Sequence, residues 1–386
     1  MKDNILKILE DIKPDLLEIN DFMYHNPELG DQEYKAVEKL TELLAFHGFK
    51  VEKGILGKPT AFKAVYDSVK PGSAIAYLCE YDALPEVGHG CGHNLIGTMS
   101  AGAGIALSKQ LAETGGKVVV FGTPAEETNG AKVDMAEKGA FEGIDAAMIL
   151  HPSDKSYESG TSLAMDALEF AFQGKACHAA SEPEAGINAL DAVNLTFAGI
   201  NALRQHVTSD VRIHGIVSEG GVAANIVPDR ASARFYVRAA KRSYLSEIVE
   251  KVKNVARGAA LMTGAKLEIS NYEISYDNMN TNRVLSELFT ANLRKLGVDD
   301  IEPHPSASGS IDMGNVSHVV PSIHPYIGLG CPGLPGHTKE MAKMTITESA
   351  HVALIKGAAA LAMTGYDVLK NKDIQERIKK EFMEAK

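Results

Sequence analysis

Apolar residues near the start of the chain recur at helical spacing. Ile5, Leu6, Leu9, Ile12, Leu16, Leu17 and Ile19 predict a helix over about 4–24. Pro14 is expected to kink or split it, and Asn26-Pro27 to end it. A second helix is predicted over about 31–47, stopping at Gly48. The pattern then changes. Short apolar runs at 73–79, 117–121 and 145–150 read as buried strands, and a small-residue helix is expected over about 94–112. Strands alternating with helices predict an α/β sheet covered on both faces.

The middle of the chain has a different texture. Strands are predicted at 163–174, 211–217, 231–238 and 266–274, with helices at 187–204 and 243–262. That order, βαββαβ, is the split βαβ or ferredoxin-like α+β arrangement. It predicts an inserted domain over 163–280, between a first domain half at 1–162 and a second at 281–386. The stretch 278–282 is expected to be the return linker, followed by a strand near 322–328 and a helix over 347–364.

Composition narrows the function classes. The chain has 386 residues, 45% hydrophobic and 23% charged, which fits a soluble globular enzyme with a sizeable core. A net charge of -11 argues against a nucleic-acid partner. No stretch is read as a membrane span, and residues 1–13 show no signal-peptide core, so no membrane partner and a cytoplasmic location are expected. Cys79, Cys91, Cys177 and Cys331 are too widely spaced for a disulfide scaffold.

Candidate chemistry concentrates where strands end, the place where α/β sheets collect ligands. Glu80-Tyr81-Asp82-Ala83-Leu84-Pro85 precedes the glycine-rich run Gly88-His89-Gly90-Cys91-Gly92-His93-Asn94. A thiolate and an imidazole two residues apart suit zinc and similar metals, although alone this also reads as a loop with a buried thiol. Thr123-Pro124-Ala125-Glu126-Glu127 follows a strand directly, and core packing does not explain two adjacent acids there. One can hold metal while the other acts as a base, or both can simply be solvated. His151 closes another strand, and His337 lies in a late Gly/Pro loop. Each is open to a purely structural reading when taken singly. Together, Cys91, His93, Glu126, Glu127, His151 and His337 form a sulfur, nitrogen and oxygen set large enough for two divalent ions.

This ordered set resembles the amidohydrolase branch of the aminoacylase/carboxypeptidase metallopeptidases, and in particular its p-aminobenzoyl-glutamate hydrolase and Xaa-Arg dipeptidase subgroup. The resemblance covers essentially the whole chain. It implies a zinc-exopeptidase-like catalytic domain with a mixed central sheet, carrying the inserted module as a lid and dimerisation domain. It also implies Cys91, His93, Glu127, His151 and His337 as metal ligands, Glu126 as general acid/base, and Asp82 as support behind the metals. His178, in Gly174-Lys175-Ala176-Cys177-His178, would polarise the substrate carbonyl. Asn225 and Arg238 would bind the substrate carboxylate, with a turn residue and a surface strand residue as the plainer alternatives. Ser310 and Asn315, in a Ser-x-Asp-x-Gly-Asn-Val-Ser segment, would contribute to the pocket, with a structural Asn/Ser loop as the plainer alternative. Asn94 stands where many relatives have Asp, which matches the Xaa-Arg-like members.

The expected activity is hydrolysis of the amide bond of small dipeptides or N-acyl, aminobenzoyl-type amino acids. Two divalent ions per chain are implied, zinc first, with manganese, cobalt or nickel as alternatives. The expected partner is a second copy of the chain, as a homodimer or a tetramer made of two dimers. The competing reading is a non-catalytic binding or regulatory protein on the same fold. Loss of Glu126 or of a ligand would favour it, and none is missing.

Overall fold

A computed structural model describes residues 2–305 and 309–385. The chain divides into two compact units, Met1–Thr161 with Met279–Ala307 and Asp312–Lys386, and Ser162–Asn278 with Ser308–Ile311.

The first unit is built on a six-stranded sheet in the order Lys50–Lys53, Phe62–Asp67, Lys117–Gly122, Ala74–Cys79, Ala146–Met148, Ser322–Ile323. The first two pairings are antiparallel and the remaining three parallel, so the sheet is mixed. All six residues of Ala74–Cys79 are buried, as befits a central strand covered on both faces. Helix His93–Ser108 is buried along its whole length, because its run of Gly, Ala and Ser lets helix and sheet approach closely. A second, four-stranded sheet orders Ile301–Glu302, Ser156–Tyr157, Tyr326–Gly328, His151–Ser153.

Several sequence expectations need correction. Pro14 lies inside one continuous helix, Lys2–His25. Buried Ile5, Leu9, Leu16 and Met23 anchor that helix on both sides of the proline. The helix expected over 94–112 ends at Ser108, and a separate short turn covers Leu111–Thr114. The expected strand at 322–328 is two strands in two different sheets, interrupted at His324-Pro325. Proline cannot donate to a ladder, which suits a break there. The strand expected over 266–274 stops at Asn271, and Asn282 in the return linker caps helix Arg283–Lys295. The late helix runs Glu348–Lys370, longer than expected, and by length and composition it could cross a bilayer. Burial of 78% of its apolar window inside the unit marks it as a core helix.

The second unit has its own core. Its strands run in the order Lys266–Asn271, Ala164–Gln173, Arg230–Ala239, Arg212–Glu219, and all neighbours are antiparallel. Helices Ala189–Leu203 and Arg242–Thr263 supply the apolar residues that cover this sheet. Phe235 is buried between Phe170 and Phe197, with ring centroids at 6.0 and 4.7 Å. Phe235→Ala is expected to destabilise this unit by about 3–5 kcal/mol through the cavity it leaves. Hydrogen exchange checks this. Amides of 162–278 should lose protection while those of 74–79 and 93–108 keep theirs.

Candidate metal centre and active site

Three parallel strands deliver the site. Ala74–Cys79 leads into Glu80 and Asp82, Lys117–Gly122 into Glu126 and Glu127, and Ala146–Met148 into His151. The first two strand ends are tied together, because the Thr123 N–H and hydroxyl both donate to the Cys79 carbonyl at 2.8 and 2.9 Å. Two glycines allow the other loops to close in. Gly92 has φ +83°, and a Cβ there would lie 2.4 Å from Pro152, so this glycine lets the Cys91–His93 turn rest against the His151 strand. A Cβ on Gly90 would meet the Thr338 backbone at 3.0 Å, and the Gly90 carbonyl accepts the His337 N–H at 2.8 Å.

The result is one cluster. Donor atoms of Cys91, His93 and His151 lie within 4.8 Å of one another, as do those of Cys91, Glu127 and His337, and those of His93, Glu126 and Glu127. Cys91 Sγ is 3.3 Å from His151 Nε2, and His337 Nε2 is 3.3 Å from Glu127 Oε1.

Hydrogen bonds fix which nitrogens face inward. His151 Nδ1 lies 2.6 Å from the Pro152 carbonyl, which can only accept, so Nδ1 carries the proton and Nε2 presents a lone pair to Cys91. His93 Nδ1 lies 2.9 Å from Asp82 Oδ1 and 3.0 Å from the Asp82 carbonyl, so its Nε2 also faces the cluster. The other Asp82 oxygen accepts the Glu127 N–H at 3.0 Å. A carboxylate behind a histidine in this way sets ring orientation and basicity.

These residues fit divalent metal. Among the described residues, Glu127 Oε1 is buried with no hydrogen-bond partner, at the centre of the donor set. Burial pushes the Cys91 thiol up to about 12, with His93 only partly offsetting it, so a thiolate there requires an added cation. Burial lowers His151 to about 4, which keeps it neutral and able to coordinate. Burial, with the Asp312 and Glu80 carboxylates, raises Glu126 well above the usual carboxylate range.

The remaining predicted residues are not among these donors. His178, Asn225, Arg238 and Ser310 belong to the second unit, and Asn315 is buried on the short helix Met313–Ser317 of the first. Exposed His178 accepts the Ala180 and Ser181 N–H groups at Nδ1, both at 3.2 Å, so the neutral ring keeps its proton on Nε2. The Asn225 carbonyl accepts the neighbouring Ala179 N–H at 3.0 Å. Arg238 Nη1 donates to Ser310 Oγ at 3.3 Å, its guanidinium lies over the Tyr236 ring at 5.4 Å, and its Nε is buried without an acceptor among the described residues.

Sequence reasoning missed a second layer. Lys132 is fully buried, with Nζ 2.7 Å from Glu80 Oε1 and 2.6 Å from Asp312 Oδ1. The buried His324 ring is tilted against His151 with centroids 5.6 Å apart, and both lie beside Tyr326. Glu80 and Asp312 both sit inside the recognised motifs, which was the available signal. Nothing in the local pattern marked Lys132 as an interior residue.

The model of the peptidase family M20/M25/M40 matches residues 63–364. The chain belongs to this family. It is 37% identical over 373 residues to a mouse Xaa-Arg dipeptidase, covering 92% of this chain and 86% of the relative. It is 36% identical over 272 residues to a component chain of the Escherichia coli p-aminobenzoyl-glutamate hydrolase, covering 65% and 56%. A Bacillus subtilis dinuclear metal-binding peptidase of the M20 family shares the fold with TM-score 0.67 at 19% identity, over 92% of this chain and 99% of that one. A Staphylococcus aureus structure superposes with TM-score 0.82 at 20% identity, over 96% and 100%.

In this M20 chain the Glu126–Glu127 loop is held from outside. Ala125 has φ +60°, a conformation costly for a residue with a Cβ. Its N–H donates to Glu33 Oε1 at 2.8 Å. Burial raises Glu33 from an ordinary 4.5 to about 7. An acid with a raised folded pKa favours folding while protonated. Its contribution is full below about 4.5 and is lost as pH rises through about 7. Glu33→Gln keeps the oxygen that accepts from Ala125 and removes the titration. Chemical denaturation should show wild-type stability falling by up to about 3 kcal/mol between pH 4.5 and 8, and a flatter profile for the variant.

Proposed function

We propose that this M20 chain is a two-metal amidohydrolase that cleaves the amide bond of small dipeptides or N-acyl amino acids bearing a free carboxylate. One observation carries the reading: Cys91, His93, Glu127, His151 and His337 form overlapping donor groups, with Glu126 in one of them and a Glu127 oxygen left without a hydrogen bond among the described residues. The named relatives, a dipeptidase and an aminobenzoyl-glutamate hydrolase, support the substrate class.

The five donors would hold two divalent ions, which when bound activate water and polarise the scissile carbonyl. Thiolate, imidazole and carboxylate together suit zinc, our proposed resident ion. Glu126 accepts a proton from the attacking water and returns it to the leaving amine. Its raised affinity for a proton suits both steps. His178, with its proton on Nε2, donates a hydrogen bond to the developing oxyanion. Arg238 binds the substrate carboxylate through Nε and a terminal nitrogen, with Ser310 holding Nη1. Asn225 is assigned to the substrate carboxylate, and Asn315 to the substrate pocket.

The inserted unit is assigned as lid and pairing domain. Strand Arg212–Glu219 is a sheet edge on which Ile216 and Val217 are exposed, a feature that suits pairing with a second copy. Light scattering that returns a monomer overturns the dimer.

The test pairs metal analysis with a substrate panel of p-aminobenzoyl-glutamate, N-acetyl and N-benzoyl amino acids, and X-Arg, X-Lys and apolar dipeptides. Two ions per chain and turnover of at least one member are expected, with zinc compared against manganese, cobalt and nickel. Glu126→Gln should keep both ions and lose at least about 100-fold in kcat. Retained turnover in this variant would refute the assignment of Glu126. His178→Ala should lower kcat by about 100-fold or more. Arg238→Ala should act mainly through KM, because it removes a contact made to the substrate in its ground state. An unchanged kcat or an unchanged KM, respectively, sinks each role.

A further inference from the structure

Behind the donor cluster lies a buried charge group whose sum is uneven. Lys132 is fully buried, and its Nζ is shared by Glu80 Oε1 at 2.7 Å and Asp312 Oδ1 at 2.6 Å. Glu80 is 2% exposed and Asp312 fully buried. One carboxylate would suffice to neutralise the lysine, so the triad carries an extra negative charge in a region with little water. Unpaired buried charge is costly unless a cation lies close by.

The geometry shows where that charge points. Glu80 uses one oxygen for Lys132. The other, Oε2, is buried with no hydrogen bond among the described residues and lies 3.5 Å from His93 Nε2. That nitrogen is the one His93 turns to the cluster, because its Nδ1 proton is committed to Asp82. In the neutral ring, the form that coordinates metal, two lone-pair atoms therefore face each other at 3.5 Å. Positive charge beside them relieves the repulsion.

We infer that Glu80 is a positioning residue of the metal centre: clamped by Lys132 and Asp312, its free oxygen orients His93 Nε2 and strengthens ion binding there. This rests on the two-metal reading above. Lys132 and Asp312 act through Glu80, holding its carboxylate so that it cannot turn away from His93.

The test uses the full-length protein stripped of metal and titrated with Co2+, followed through visible absorption and the thiolate charge-transfer band from Cys91. Glu80→Gln leaves Lys132 paired with Asp312 and still offers it an amide oxygen, so the buried group becomes neutral and the fold persists. It should weaken one of the two Co2+ sites about 10–100-fold, the scale for residues that orient a ligand. The metal-free melting temperature should not fall. Asp312→Asn removes the same unit of charge but leaves the Glu80 oxygen at His93, and it should weaken binding less. Equal losses in the two variants would mean that only net charge matters and would overturn the positioning role. So would unchanged Co2+ affinity in Glu80→Gln. If Glu80→Gln does not fold, Glu80→Asp carries the test, since it keeps the charge and the lysine pair but withdraws the second oxygen. Weaker binding at one ion supports the inference, and wild-type affinity defeats it. Wild-type protein that binds no Co2+ fails the two-metal reading itself, a result distinct from a Glu80 variant that binds as wild type does.

Discussion

The site depends on one carboxylate. Asp82 reaches His93 Nδ1 with one oxygen and the Glu127 N–H with the other, at 2.9 and 3.0 Å. It thereby sets the tautomer of one candidate metal donor and the backbone position of another. The bridge is possible because strands Ala74–Cys79 and Lys117–Gly122 are parallel neighbours whose ends lie side by side, joined through Thr123. Without an acceptor at this point, the His93 proton could sit on either nitrogen, and a half-buried N–H would lose its partner. Both effects would blur a cluster whose donors must agree to within fractions of an ångström.

The electrostatics of the interior follow from the same crowding. Glu80, Asp82 and Asp312 are buried, Glu126 and Glu127 are half-buried, and the one fully buried cation among them is Lys132. Burying so many acids around a single lysine would be strongly unfavourable in a protein with no further positive charge. Glu126 is driven towards its protonated form and Cys91 towards the thiol, as expected where cations are to be supplied from outside. The same negative field gives divalent ions a favourable destination.

The donor cluster was legible in the sequence because its candidate ligands sit at strand ends or in glycine loops. In those places neither core packing nor solubility explains Glu126-Glu127 or Cys91-Gly92-His93. The α/β sheet was legible from alternating strand and helix patterns, and its mixed character from the family resemblance those motifs carry. What failed to show was whatever depended on distant partners. Lys132 reads as a polar helix residue, and only Glu80 and Asp312, brought together from positions 80 and 312, reveal it as interior. Strands Lys50–Lys53 and Phe62–Asp67 and helix Lys372–Glu384 were missed, because their mixed polar and apolar residues carry weak periodicity. Pro14 misled in the opposite direction. The helix around it is held by packing against the core, which outweighs one lost backbone bond.

In the inserted unit, donors are prepared rather than donor sets. The turn after His178 points two backbone N–H groups at Nδ1, which leaves Nε2 as the donor of the ring. An imidazole arranged in this way can stabilise a developing oxyanion without first having to gain a proton. Arg238 is prepared in a comparable sense. Tyr236 and Ser310 fix the plane of its guanidinium while Nε stays buried without an acceptor among the described residues. A buried donor left unmatched costs about 1–3 kcal/mol. On the role proposed for Arg238, a ligand carboxylate that supplies the missing acceptor would recover that energy on binding and so favour substrates with a free acid. A substrate lacking the carboxylate would leave the same nitrogen unmatched, and discrimination against it follows from an interaction the protein already forgoes.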